Sequence, residues 1–394
     1  MNAPESRRRI TILGSTGSIG TSTLDVIAQL GGREAFEVVA VTGNGNIDLL
    51  AEQAISTGAR MAVTASDTHY DRLKSALAGT GIAVAAGASG LLEAAAMDSD
   101  IVMAAIVGTA GLAPTLEAAR RGADIALANK ECLVTAGELF VDAVRQGGGR
   151  LLPVDSEHNA IFQVLEEHQR HALERIILTA SGGPFRTFTT EQMADVTAET
   201  AARHPNWSMG MKISVGSATM FNKALEMIEA KHLFDVAPGQ IEVVVHPQSI
   251  VHSMVGYTDG SVLAQLGCPD MRTAIGYALN YPLRPALAVE RLDFTRLSRL
   301  DFEAPDEGRF PALRLARLAL DRGGMQSAVM NAAEETAFEA FVAADIGFLD
   351  MARVAEAVME SMIDAGAAES IDHVFAVDAE ARLKAAERIS RRAW

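Results

Sequence analysis

Cysteines, aromatic residues and long apolar runs are scarce in this chain. Only two of its 394 residues are cysteines, Cys132 and Cys268, so no disulfide framework can form and a reducing compartment is expected. No apolar run approaches the ~20 residues of a transmembrane helix, and glycines interrupt the run after Arg9 before it reaches the ~7 residues of a signal peptide. We predict a cytoplasmic protein that does not contact membranes.

Basic residues are outnumbered by acidic ones. The chain has 34 Lys and Arg against 50 Asp and Glu, which gives a net charge of −16. This acidity argues against non-specific binding to nucleic acids or anionic membranes, but a small phosphorylated ligand needs only a local cluster of donors. The hydrophobic fraction of 49% is typical of a globular protein, and the length suggests two or three domains.

A glycine-rich segment lies between a predicted strand, Arg9–Leu13, and a predicted helix, Thr21–Leu30. Its glycines follow the spacing G-x-x-G-x-x-G from Gly14 to Gly20, which lets the backbone approach a pyrophosphate at the helix start. The alternative is a turn without a ligand. Glu37–Thr42, the next strand, ends without the carboxylate that holds an unphosphorylated ribose, which favours NADP over NAD.

Strand and helix patterns alternate through the first 155 residues. The alternation predicts a Rossmann-like, doubly wound parallel sheet with its ligand at the carboxyl ends of the strands. Asn129-Lys130-Glu131 follows one such strand and faces the predicted cofactor cleft. Cys132 has no evident His partner nearby, so a structural role is favoured over that of a thiol nucleophile.

Two carboxylates, Asp155 and Glu157, follow the strand Arg150–Val154. If the strand continues, alternate residues face the same way, and the two carboxylates suit a hard divalent cation. The alternative is that Asp155 or Ser156 caps a following helix.

Three further segments carry polar groups suited to an anion. Ser181-Gly182-Gly183 can form an anion-binding turn, and Arg203–Gly210 is a loop with a tryptophan that could cover a site. Ser217 is a natural cap for a predicted helix that runs to about Lys231. On that helix Asn222, Lys223 and Glu226 share one face at i,i+3 and i,i+4 spacing.

Three strands are predicted beyond residue 240, and Asp259-Gly260 joins the last two as a hairpin. An exposed edge there could pair between subunits. Only helical patterns follow residue 311. We predict a nucleotide-binding domain at residues 1–155, a central α+β catalytic domain with a mixed sheet at 156–290, a linker at 291–311 and a helical bundle at 312–394.

Several of these motifs occur in an order that resembles the 1-deoxy-D-xylulose 5-phosphate reductoisomerase family over nearly the whole chain. They are Gly14–Gly20, Asn129–Glu131, Pro153–Asn159, Ser181–Phe185, His204–Gly210, Asn222-Lys223 and His246–Ser249. The resemblance implies a homodimer that converts 1-deoxy-D-xylulose 5-phosphate to 2-C-methyl-D-erythritol 4-phosphate with NADPH and a divalent cation (Mg²⁺, Mn²⁺ or Co²⁺).

The resemblance also implies the roles of individual residues. The metal ligands are Asp155, Glu157 and Glu226, and the catalytic residues are Lys130, Glu157 and His204. Substrate contacts come from Lys130, Ser156, Glu157, Ser181, His204, Trp207, Ser217, Asn222, Lys223 and Glu226, with a flap at about 203–213. Cofactor contacts come from Ser15, Thr16, Gly17, Ser18, Ile19, Gly43, Asn44, Gly45, Asn46, Asn129, Glu131 and Gly210.

Three residues depart from the usual family pattern. Gly45 stands where many relatives have a basic residue, Cys132 replaces a common Ser, and Gly216 replaces a common Asp. We expect altered affinity rather than lost activity, because the ligands are intact. Two rival hypotheses remain: a simple dehydrogenase that uses Cys132, which would be indifferent to a chelator, and a nucleotide sensor without turnover.

Overall fold

The computed structural model describes residues 7–203, 207 and 210–394. The chain forms two compact units, each built from separate stretches of sequence. The first contains residues 7–132, 140–159 and 270–290, and the second contains residues 133–139, 160–269 and 291–394. No helix in the described part of the chain combines the length and apolar character needed to cross a membrane.

Strands and helices alternate strictly from the first strand to residue 164. The elements are β1 (Arg8–Leu13), α1 (Ser18–Gln29), β2 (Phe36–Gly43), α2 (Ile47–Thr57), β3 (Met61–Thr64), α3 (Tyr70–Ala76), β4 (Ala83–Ala86), α4 (Gly87–Ala96), β5 (Ile101–Ala104), α5 (Leu112–Arg120), β6 (Asp124–Leu127), α6 (Glu131–Gly147), β7 (Leu151–Pro153) and α7 (Ser156–Val164).

The seven strands form one sheet in the order β4-β3-β2-β1-β5-β6-β7, and every pair is parallel. The strand order reverses at β1 and β5, and in doubly wound sheets ligands bind beyond the carboxyl ends of the strands at this point. The predicted fold class is confirmed. Its central strands are buried on both faces, and Ile10, Ile12 and Ile101 are fully inaccessible to solvent.

The second unit contains a smaller, mixed sheet. The elements of this part of the second unit are β8 (Leu173–Ala180), α8 (Thr190–Ala194), α9 (Ala198–Ala201), α10 (Met211–Ala218), α11 (Phe221–Phe234), β9 (Ile241–Val245), β10 (Val251–Tyr257) and β11 (Val262–Leu266). The next helix along the chain, α12 (Met271–Asn280), belongs to the first unit. The sheet order is β11-β10-β8-β9, in which β8 and β9 are parallel and β10 is antiparallel to both neighbours.

Four helices complete the second unit: α13 (Ala312–Arg322), α14 (Gln326–Val342), α15 (Asp350–Ser361) and α16 (Ile371–Arg391). Helix α14 packs against the other three. The division into domains at residues 155, 290 and 311 stays a prediction, and the bounds of the two compact units differ from it. Residues 270–290, which include α12, belong to the first unit, where α12 packs on α1 and on strands β6 and β7.

The sequence pattern predicts a helix over Gly137–Gln146, but α6 begins six residues earlier, at Glu131, and is bent at Gly137. This glycine has φ +41°, and a side chain there would come within 2.8 Å of the His232 ring. Burial, with a contribution from Lys231, lowers the pKa of His232 to about 4, so the ring is neutral at pH 7. The sequence predicts that Gly137 begins the helix. In the structure this glycine lies inside the helix, where it leaves room for the His232 ring.

Candidate active site

In the glycine-rich loop after β1, a side chain would clash at two of the glycines but not at the third. Gly14 has φ +88°, and a side chain there would come within 2.6 Å of the carbonyl oxygen of Ala105. At Gly20 a side chain would come within 2.4 Å of the carbonyl oxygen of Gly14. Gly17, the residue before α1, has φ −79°, and Gly14 O lies 3.5 Å from the position of its Cβ. The fold therefore requires glycine at residues 14 and 20 but not at residue 17.

We expect Gly17→Ala to weaken NADPH binding at least roughly tenfold, or about 1.4 kcal/mol, because the added methyl group enters the space that a pyrophosphate needs. Stability should stay within about 1 kcal/mol of the wild type, since the backbone at residue 17 suits alanine. Isothermal titration with NADPH and thermal unfolding measure the two quantities. Gly239→Ala is the matched control, because nothing lies within 4 Å of that Cβ position. An unchanged dissociation constant would contradict the assignment.

The polar residues near this loop also hold the fold together. The buried Ser15 hydroxyl donates to Gln53 Oε1 (2.7 Å). Asn46 caps α2 through its Oδ1, and the Thr64 hydroxyl donates to Asn44 O (2.8 Å). Sequence reasoning missed His69, whose Nε2 lies 3.9 Å from the Cβ position of Gly45. This imidazole is close to Gly45, the residue at which the family resemblance leads us to expect a basic side chain.

Asn129 and Glu131 support the loop that follows β5. Asn129 Nδ2 donates to the carbonyl oxygens of Ile106 and Gly108, the latter at 3.0 Å, and its Oδ1 accepts from the Cys132 N–H (3.1 Å). The Gly108 N–H donates to Glu131 Oε1 (3.1 Å). Cys132 is fully buried, as a structural cysteine should be. These contacts fix the loop at the strand-order reversal.

Asp155 lies at a turn between β7 and α7. The Glu157 N–H donates to Asp155 Oδ1 (3.3 Å), which confirms the capping interpretation. The prediction that Asp155 and Glu157 are both extended is wrong, because α7 begins at Ser156 and Glu157 is in its first turn. Pro153 ends the strand, and the cap favours the helix that follows.

Charged and polar groups surround Asp155. Lys130 Nζ donates to Asp155 Oδ2 (2.8 Å), and the fully buried His158 has its Nδ1 3.5 Å from Asp155 Oδ1. The Ser156 hydroxyl contacts Glu157 Oε2. Lys130, Ser156 and Glu157, predicted as substrate-binding residues, therefore lie close to Asp155 or to one another. Sequence reasoning assigned no role to His158, although this histidine is three residues after Asp155 and lies beside it.

A second group of predicted residues forms where the turn after β8 meets the end of α10. Gly182 and Gly183 have φ +80° and +65°, and Ser181 Oγ accepts from the Gly183 N–H (3.2 Å). A side chain at Gly183 would come within 2.9 Å of Ser217 O. This close approach brings the segments of Ser181 and Ser217 together.

Ser217 is not a helix cap, which corrects the sequence-based prediction. It lies in the last turn of α10, and the predicted single helix is divided in two by Met220, whose φ is +65°. The Thr219 hydroxyl donates to Val215 O (2.9 Å) and to Gly216 O (3.2 Å), which closes α10. The second helix, α11, begins at Phe221, where the Phe221 N–H donates to the Thr219 hydroxyl (3.4 Å).

Asn222, Lys223 and Glu226 are in contact at the start of α11, as their spacing predicts. Asn222 Nδ2 donates to Glu226 Oε1 (2.5 Å), and Lys223 Nζ is paired with Glu226 Oε2. Lys223 is 3% exposed and Glu226 is fully buried. The alternative for Lys223 and Glu226 is a solvated ion pair on the protein surface. Such a pair would be exposed, so the burial of both residues excludes it. Sequence reasoning missed Glu229, a fully buried carboxylate one turn further along α11.

The predicted flap is described only in part. His204 lies outside the described residues, so its predicted catalytic role stays a prediction. Trp207 has its ring centroid 6.0 Å from that of His252 on β10. Gly210 immediately precedes α10.

Three family models cover most of the chain. Residues 10–137 match the model described as 1-deoxy-D-xylulose 5-phosphate reductoisomerase, residues 151–234 match its C-terminal domain, and residues 266–384 match the DXP reductoisomerase C-terminal domain. A protein of that name from Rhizobium rhizogenes is 74% identical over 98% of both chains. The chain belongs to the 1-deoxy-D-xylulose 5-phosphate reductoisomerase family.

Solved reductoisomerase structures have the same fold. The Zymomonas mobilis enzyme, in complex with NADPH, is 52% identical, and the match covers 98% of this chain and 99% of that one, with a TM-score of 0.92. A DOX-P reductoisomerase in complex with NADPH, fosmidomycin and magnesium is 42% identical, with 97% and 98% covered and a TM-score of 0.93. The family resemblance and the predicted oxidoreductase function are confirmed.

One departure from the reductoisomerase pattern can be judged sterically. A Cβ at Gly216 would lie 3.6 Å from the backbone nitrogen and the Cβ of Asn222, which is ordinary contact. The fold of this reductoisomerase therefore does not demand glycine before Ser217.

Proposed function

We propose that this enzyme rearranges 1-deoxy-D-xylulose 5-phosphate and reduces the product with NADPH, using Asp155, Glu157 and Glu226 as ligands of one divalent cation. The observation that carries this assignment is the buried Lys223–Glu226 pair in the first turns of α11. Burying a charge costs several kcal/mol even when it is paired, so a buried Lys–Glu pair supports a functional role for both residues.

The donor chemistry of the three proposed ligands fits a hard cation. Carboxylate oxygens are the ligands that Mg²⁺ and Mn²⁺ prefer. Lys130 is paired with Asp155, and Lys223 with Glu226. These ammonium groups favour the ionised form of each carboxylate, which is the form that binds a metal.

The loop around Gly17 fits a dinucleotide. It lies at the strand-order reversal, directly before α1, and a ligand can approach the backbone at Gly17. We assign the 2′-phosphate to the exposed Asn44 and to His69, whose Nε2 lies 3.9 Å from the Cβ position of Gly45.

We assign phosphate binding to Ser181, Ser217, Asn222 and Lys223. The two serines and Asn222 donate neutral hydrogen bonds, and Lys223 adds a positive charge. Lys130 and Ser156 orient the reacting end of the substrate, while Trp207, with His204, excludes water. When bound, the cation polarises the substrate carbonyl and the nicotinamide supplies hydride.

We expect NADPH oxidation, followed at 340 nm, to require 1-deoxy-D-xylulose 5-phosphate and added Mn²⁺ or Mg²⁺. Excess chelator should abolish turnover, and added metal should restore it. Cys132→Ala should remain active because Cys132 is a buried structural residue. Turnover that persists in chelator, or activity lost in Cys132→Ala, would instead favour a simple dehydrogenase.

We further propose a homodimer in the cytoplasm. Strand β11 is an edge strand of the second sheet, and its residues Val262 and Leu263 are 47% and 38% exposed. An exposed apolar edge is suited to pairing with a second copy.

A further inference from the structure

A chain of ion pairs joins two C-terminal helices to α10. Glu335 on α14 pairs with Lys212, the second residue of α10, through its Oε1 (2.5 Å), and its Oε2 pairs with Arg382 on α16. Arg382 also holds Asp378, one turn earlier on α16, with Nε 2.6 Å from Oδ2. The side chain of Glu335 is only 9% exposed. Four charged side chains therefore connect three helices.

The charge on Glu335 is maintained despite its burial. Burial alone would raise the pKa of Glu335, but Lys212 and Arg382 outweigh it and the pKa is lowered from its ordinary value. Stability does not explain such an arrangement, because apolar residues of similar size are often as stabilising as a buried ion pair. A directional ion pair instead fixes the position of the helix that carries Lys212.

Helix α10 takes its position from tertiary contacts, which include its packing against α9 and α11 as well as the ion pair of Lys212. It has eight residues, fewer than the ~12–15 at which isolated helices become marginally stable. Thr219 closes its C-terminal end, as described above, and the contact with Glu335 holds its N-terminal end. Ser217 lies between these two points, about 7.5 Å along the helix axis from Lys212.

We propose that Glu335 is a positioning residue for substrate phosphate binding. Through Lys212 it fixes α10, and so holds Ser217 beside the Ser181 turn and the start of α11. This assignment rests on the proposed phosphate role of Ser217. It gives the C-terminal helices a defined part in substrate binding although they contribute no group that touches substrate.

The test uses Glu335→Gln, which keeps the shape of the side chain and removes its charge. The KM for 1-deoxy-D-xylulose 5-phosphate should rise roughly tenfold, below the ~100-fold effect of a 1 Å misplacement. The inhibition constant of inorganic phosphate should rise by the same factor, while kcat stays within about twofold, because phosphate contacts bind the ground state and transition state alike. The dissociation constant of NADPH should not change.

Lys212→Met tests the same contact from α10 and keeps the apolar stem of the side chain, so it remains informative if Glu335→Gln folds poorly. We expect the same rise in KM and in the phosphate inhibition constant. Glu356→Gln is the matched control, because it breaks an exposed pair with Arg314 (2.8 Å) between α13 and α15. Its KM should equal that of the wild type.

Two results would overturn the role of Glu335: lowered melting temperatures of both variants with wild-type KM and phosphate inhibition, or an equal rise in KM for Glu356→Gln. Ser217→Ala separates this failure from a failure of the proposed function. If Ser217→Ala leaves phosphate inhibition unchanged, the phosphate site itself is wrongly assigned. If it abolishes inhibition while Glu335→Gln does not alter it, only the positioning role is lost.

Discussion

Glu226→Gln should abolish turnover and also lower the melting temperature, because it removes the carboxylate that is paired with the buried Lys223. The amide keeps the size of the side chain but removes the charge that we propose binds a divalent cation. Losing Lewis-acid stabilisation worth several kcal/mol corresponds to a fall in kcat of roughly 10³-fold or more. Titration of Mn²⁺ by electron paramagnetic resonance, together with kcat at several Mn²⁺ concentrations, measures both effects.

Glu242→Gln is the control for this change. Glu242 lies in the same unit and is paired with Arg175 at 3.4 Å, but its side chain is 47% exposed. We expect Mn²⁺ affinity and kcat of Glu242→Gln to equal those of the wild type. Wild-type turnover by Glu226→Gln at limiting Mn²⁺ would remove Glu226 from the ligand set.

Lys223→Ala should chiefly weaken substrate binding. A hydrogen bond to a charged group contributes about 1.5–3 kcal/mol, so KM should rise roughly 10- to 150-fold. The inhibition constant of inorganic phosphate should rise in parallel, since the proposed contact of this lysine is with the phosphate of the substrate. Initial-rate kinetics and phosphate inhibition measure the two constants.

Lys231→Met provides the comparison on the same helix. Lys231 Nζ is 3.6 Å from Glu138, whose side chain is 84% exposed. Removal of this surface pair should leave KM unchanged. An unaltered KM in Lys223→Ala would show that this lysine serves only to neutralise Glu226.

The regular parts of the fold follow directly from the sequence. Buried parallel strands are continuous apolar runs, so the sequence predicts strands over Met61–Thr64 and Ile241–Val245, and the structure has both with these bounds. The short break between α10 and α11 could not be found in this way. It depends on the positive φ of Met220, and no local signal marks that residue as unusual.

The site was predictable in its residue types and less so in its geometry. The spacing of Lys223 and Glu226 predicts their contact, because i,i+3 neighbours meet on any helix. The sequence leaves open whether Asp155 and Glu157 continue a strand or begin a helix, because periodicity does not reveal where a cap ends one element and starts another. His69 lies beside Gly45 through tertiary packing, which spacing along the chain does not encode.

The discontinuity of the first unit has a consequence for synthesis on the ribosome. Helix α12, which packs on α1, β6 and β7, is translated more than a hundred residues after β7. At about 5–20 residues per second this delay is on the order of ten seconds. During that time the nascent chain exposes apolar surface that α12 will later cover. A nucleotide-binding fragment that stops at residue 155 should therefore aggregate when expressed alone.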